Sequence, residues 1–273
     1  MKAAVPVVLV PTFGRTLAPA LGRTACAALL ATGCAGASPL LHPAHTLPPG
    51  NVMVGAGVTG TIGTLPVAEV SETNTSQVVL EDFAVAPGVG PWAAGRVGIP
   101  GDNEAGITYA GRSFRADIRH AFPVGDLKLS LGVGGSALMP RERTGGEDLG
   151  NVYGGGADVP IILGWVSDAE LYSIWFGPRG GFEILGGSIV ESEFLPGGRD
   201  DLKVPFSGKH FFVGGLLGAK VGFRTFHVAL EVGVNYHFAD GELGEGTSGE
   251  GSVIEASLQQ LTVVPAGALL LTF

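Results

Sequence analysis

The sequence predicts an all-β protein, an up-and-down antiparallel transmembrane β-barrel of about ten strands. The first observation is the alternation from Thr225 to Phe238. Phe226, Val228, Leu230, Val232, Val234, Tyr236 and Phe238 fall on one face, and Thr225, His227, Ala229, Glu231, Gly233, Asn235 and His237 on the other. Successive side chains of an extended chain point to opposite faces, so this is a strand with one greasy and one polar surface. Its length exceeds the usual five or six residues of a globular strand and suffices for a tilted bilayer crossing of roughly 9–11 residues. The second observation is that period-two segments recur from Asn51 onward, bounded by Gly, Pro, Asn or Asp. The third is that no run reaches the roughly 18–20 apolar residues of a transmembrane helix, so any crossing must be by strands.

In order, the strands are expected near Val52–Gly63, Trp92–Ile99, Glu104–Gly111, Ser113–Phe122, Leu127–Leu138, Val159–Val166, Leu171–Ile184, Lys209–Phe223, Thr225–Phe238 and Leu261–Phe273. Leu127–Leu138 sets Leu127, Leu129, Leu131 and Val133 against Lys128, Ser130, Gly132 and Gly134. In Lys209–Phe223 the residues Phe211, Val213, Leu217 and Val221 point outward. Val159–Val166 is the least clear, being apolar on both faces and interrupted by Pro160.

The connections follow the same parity. With the first strand leaving the periplasm, one side receives the short links Pro100–Asn103, Pro123–Asp126, Ser167–Glu170 and the corner at Arg224. The other side receives Thr64–Pro91, a brief turn at Arg112, Met139–Asp158, Leu185–Gly208 and Ala239–Gln260. Short turns on one side and longer loops on the other are the habit of transmembrane barrels.

Composition agrees. The 273 residues include 46 glycines, 45% hydrophobic and 15% charged residues, with a net charge of −9. That much apolar content is incompatible with a disordered chain, and the acidic balance argues against nucleic acid. The acidic surplus is expected in the long loops, giving an anionic rim able to hold divalent cations weakly. The glycine-rich Asp240–Glu250 stretch has oxygen ligands suited to Ca²⁺ but not EF-hand spacing.

Both cysteines, Cys26 and Cys34, lie in a short apolar leader. The stretch Ala31-Thr32-Gly33-Cys34 resembles a bacterial lipobox, with Ala31 where that signal prefers Leu; the resemblance implies lipidation of Cys34 as the first mature residue. Ordinary cleavage near Ala35-Gly36-Ala37 is the alternative. Residues 1–34 are thus expected to be a signal peptide, with a gene model extended upstream, 35–50 a flexible tether and 51–273 the barrel domain. His42 and His45 are expected in a solvated linker.

The last strand places Leu269, Leu271 and Phe273 on one face and finishes on the aromatic itself. This resembles the carboxy-terminal assembly signal of Gram-negative outer-membrane β-barrel proteins, which the barrel assembly machinery reads. The resemblance covers Asn51–Phe273 and implies export to the outer membrane and contact with membrane lipid.

Ten strands make a narrow barrel, so the interior is expected to be filled. Inward parity falls on Arg96, Arg115, Asp117, Arg119, Lys128, Arg179, Glu183, Lys220, His227 and Glu231, a mixture of signs expected to form an internal salt-bridge network. No catalytic set emerges: His227 and Glu231 stand roughly 13 Å apart on a strand, and outward His120 reads as an interfacial residue. No cofactor is implied, Gly132–Gly135 being too short for a dinucleotide fingerprint. The function expected is a structural, surface or small-solute role in the outer membrane. The alternatives are a secreted soluble barrel binding a small hydrophobic ligand and an outer-membrane enzyme.

Overall fold

The computed structural model describes residues 37–66, 75–139, 151–167, 170–195, 198–244 and 254–273. Ten strands form one closed antiparallel barrel: β1 (Val52–Pro66), β2 (Gly88–Ile99), β3 (Asn103–Ala110), β4 (Ser113–Val124), β5 (Leu127–Leu138), β6 (Asn151–Val166), β7 (Tyr172–Leu195), β8 (Gly198–Phe223), β9 (Phe226–Leu243) and β10 (Ile254–Thr272). Each strand pairs with its sequence neighbours, and β1 closes on β10 from Met53–Thr272 onward. The seam is fastened where Val52 N donates to Phe273 O at 3.1 Å and Phe273 N to Val52 O at 2.9 Å.

The strands run further toward the loop side than expected. The predicted loop Leu185–Gly208 is largely a paired continuation of β7 and β8, in register down to Leu195–Gly198. Likewise β6 begins at Asn151, β9 continues to Leu243 and β10 starts at Ile254. The physical reason is a reversal of face. Up to Phe211 and Phe238 the outward residues are apolar; beyond them the outward positions become Lys209, Asp240, Glu242 and Glu255, while Leu185, Phe206, Leu243 and Leu258 turn inward and are buried. The period of two persists while the greasy side swaps, which ends an amphipathic strand as read from sequence alone.

The inward apolar residues of that end meet a helix, α1 (Thr75–Ala84), inside the expected loop Thr64–Pro91. Leu80, Phe83 and Ala84 are buried against Leu185, Phe206 and Leu258, capping the mouth. Arg112, at the β3–β4 turn, lies over the Phe83 ring at 4.7 Å and donates to the Asp82 carbonyl.

The opposite mouth is also occupied. The segment 37–50, expected as a solvated tether, instead enters the lumen, and Leu40, Leu41, His42 and Ala44 are at most 2% exposed. Leu40 and Leu41 pack with Met53, Trp92, Ile162, Trp175, Leu216 and Leu270. This explains the two-faced apolar character of β6: inward Ile162 meets the plug while outward Val159 and Ile161 remain exposed.

Candidate functional site

The lumen concentrates the polar chemistry of the chain. At its centre two carboxylates bind two guanidinium groups each. Asp117 pairs with Arg96 and Arg115, and Asp158 pairs with Arg115 at 2.7 Å and Arg179 at 2.8 Å. A third, Glu104, pairs with Arg96 and with Arg119 at 2.8 Å. The alternating signs form one continuous chain, Arg119–Glu104–Arg96–Asp117–Arg115–Asp158–Arg179. Each guanidinium offers a rigid fork matched to carboxylate oxygens, which is how buried charge of this density is held.

Of the predicted lumen set, Arg96, Arg115, Asp117, Arg119 and Arg179 lie in this chain. Glu183 lies apart, accepting from Ser136 Oγ at 3.3 Å and facing His210 Nδ1 at 2.9 Å. Lys128 and Lys220 are half-buried and join no ion pair among the described residues. Glu231 departs most from the expected ion pairing. Its carboxylate accepts from Leu40 N at 2.8 Å, Leu41 N at 2.9 Å and Trp175 Nε1 at 3.1 Å, so main-chain and indole donors satisfy it. His227 is buried nearby in sequence but is not its partner.

Sequence reasoning missed Glu104 and Asp158. Glu104 stands at the edge of a predicted strand, and Asp158 falls in the predicted loop Met139–Asp158, one residue before the predicted strand Val159–Val166. It also missed a second polar line, in which His210 Nε2 meets His237 Nδ1 at 2.9 Å and His237 Nε2 meets Thr262 Oγ1 at 2.8 Å. The signal was available as parity: His210, His237 and Thr262 share the inward face with Glu183.

The plug is held mainly through its backbone. Trp92 Nε1 donates to Pro39 O at 3.3 Å, Arg179 to Ser38 O, Arg119 to Pro43 O and to His45 O, and Leu47 N donates to Glu104 at 2.8 Å. Trp175 reaches Glu231 because β8 carries glycine beneath it: a Cβ on Gly218 would overlap the indole ring. Burial holds His42 well below the usual imidazole range, with Arg119, Arg96 and Arg115 adding to the effect. His45 is lowered to about 3 by burial, then by Lys220 and Arg119.

Phe273 is exposed at the turn-side rim, with Leu269 and Leu271 on the same outward face. Cys34 and most of the Asp240–Glu250 loop lie outside the described residues.

No family model matches the chain, and no curated protein does. Among solved structures it is similar to Neisserial surface protein A (NspA), at 10% identity and a TM-score of 0.32, over 82% of this chain and 96% of that one. It is also similar to the CymD monoaromatic hydrocarbon channel, at 13% identity and a TM-score of 0.26, over 83% and 89%.

Proposed function

We propose that the protein is a bacterial outer-membrane β-barrel, exported through its leader and inserted by the barrel assembly machinery, whose lumen is closed at rest by its own amino-terminal plug. The observation that carries this reading is the outer surface. Val54, Val58, Ile107, Ile118, Val133, Ile174, Phe176, Leu217, Leu230 and Leu269 are all exposed, on every side of the barrel. A contiguous apolar surface this wide on a soluble monomer would be an aggregation site.

The band has two polar limits. One is the rim of turns at Asp102, Asp126 and Arg224; the other is the step from Phe211 and Phe238 to Lys209 and Asp240. Between Phe226 and Phe238 lie twelve residue steps of β9. At a rise of about 3.4 Å and a tilt near 40° they span about 30 Å, close to a bilayer's hydrocarbon core.

A soluble barrel holding a hydrophobic ligand fits less well, because the lumen is filled by ion pairs and the plug while the greasy surface lies outside. The role is non-enzymatic: surface structure, or passage of a small solute when the plug withdraws. The test is fractionation. The protein should remain with membranes after alkaline carbonate washing, require detergent for extraction and migrate differently before and after boiling. Folded, monodisperse protein in detergent-free buffer would overturn the reading.

A further inference from the structure

At the turn-side mouth, between plug and wall, lies a cavity of about 80 Å³ lined by His42, His45, Arg119, Lys220, Arg224 and His227 among others. That is room for more than one water. Three imidazole nitrogens of its lining are buried with no hydrogen-bond partner: His42 Nε2, His45 Nδ1 and His227 Nδ1. His42 is 1% and His227 5% exposed and His45 is half-buried with its Nδ1 shielded, so bulk solvent does not satisfy these atoms. Buried polar atoms are nearly always paired, and three orphans around one cavity point to an occupant.

The charges facing the cavity decide its sign. Arg119 pairs with Glu104, and Arg96 with Glu104 and with Asp117 behind it. Lys220 makes no hydrogen bond or ion pair among the described residues, and Arg224 adds a further cation at the rim. Glu170 is the one other carboxylate in the lining. With every imidazole neutral, four cations face two carboxylates, and a proton on any ring adds to the excess.

We propose that this cavity is a binding site for a small tetrahedral oxyanion, held by the Lys220 ammonium and by N–H donors from the rings of His45 and His227, with His42 at its back. Phosphate and sulfate share the required geometry. Burial is the larger cause that keeps the His45 ring neutral, lowering it to about 3, and Lys220 adds to the effect. An anion seated between His45, His227 and Lys220 supplies the missing countercharge, so a ring that stays neutral without it takes up a proton as the anion enters. The site therefore tightens as pH falls. The cavity is formed by plug and inner wall alone, and its occupancy is independent of what the outer face touches.

The test is calorimetric titration of sulfate, whose charge is constant across the range, into full-length folded protein in a phospholipid-free detergent. Binding is expected near pH 5 and should weaken roughly tenfold or more toward pH 8. Lys220→Met and His227→Gln should each weaken it at least about tenfold, while His120→Gln, on the outer face, should not. Where a variant fails to fold, sulfate against chloride at matched ionic strength should raise the wild-type melting temperature, more near pH 5 than near pH 8. Stabilisation by phosphatidylglycerol without sulfate would identify a lipid phosphate as the source of the same oxyanion. No heat and no stabilisation by either anion, or affinity indifferent to pH, would overturn the proposal.

Discussion

Glu231 Oε1 accepts a hydrogen bond from Leu40 N at 2.8 Å, joining residues 191 positions apart in the chain. Its other oxygen takes Leu41 N at 2.9 Å, so one carboxylate fixes the main chain of the plug at its apolar centre. Hydrogen bonds to a charged acceptor contribute about 1.5–3 kcal/mol each. Glu231→Ala removes the acceptor and leaves both amides and the Trp175 indole unpaired in a buried site. The expected outcome is a loosened plug: tryptophan emission shifts red, iodide quenches it more strongly, and ion conductance appears in planar bilayers. Unchanged emission together with unchanged conductance would show that the plug stands without this carboxylate.

Asp158 carries a different burden. It bridges Arg115 and Arg179, and Arg179 in turn donates to Ser38 O of the plug. Asp158→Asn preserves volume but leaves two buried cations short of countercharge, a change that costs about 3–5 kcal/mol when a buried pair is broken. Denaturant unfolding in detergent should register that loss. Lys220→Met in sulfate-free buffer is the comparison, expected to be much milder because Lys220 joins no ion pair among the described residues.

The strand count and the inward or outward sense of most residues were legible because a lipid-facing strand writes its environment into every second position. Leu127–Leu138 matches its predicted span to the residue. The upper barrel was not legible as strand because the apolar face reverses beyond Phe238, where Leu243 turns inward to meet α1. The plug was not legible because its recognition runs through backbone groups: Leu40 N, Pro39 O and Pro43 O look alike in any sequence. Charge identity was readable by parity, whereas pairing was not. Which carboxylate meets which arginine depends on cross-strand register, and a strand begun at Val159 instead of Asn151 leaves Asp158 out of the set.

Register itself is open to a direct test on β9. Val232 is exposed midway between Phe226 and Phe238, and the neighbouring Gly233 is buried and faces the lumen. Val232→Arg sets a cation at the middle of the proposed lipid band, costing about 2–4 kcal/mol there. Gly233→Ser should be milder, since a Cβ at Gly233 meets nothing nearer than Asn235 Nδ2 at 3.5 Å. Refolding yields into vesicles should rank the two in that order. A reversed ranking means the strand is displaced by one residue, which would exchange its lipid and lumen faces.

Phe273 separates two roles of the last residue. Its backbone closes the barrel through paired bonds with Val52, whereas its side chain projects outward, 67% exposed. Phe273→Ala leaves the closing bonds intact and removes only the ring. Purified protein refolded in detergent should therefore keep its unfolding midpoint, within the small range usual for surface substitutions. In cells the same variant should be exported but accumulate less folded barrel, if the terminal aromatic is what the assembly machinery reads. Deleting Leu271–Phe273 removes the seam bonds with Val52 and also the bond from Thr272 N to Thr225 O at 2.9 Å beside β9, and should lower both folded yield in cells and stability in detergent. A substitution at Thr272, on the opposite face, controls for disturbance of the strand end. Equal folded yields in cells for Phe273→Ala and the parent chain would leave the ring without an assembly role, whatever the deletion does.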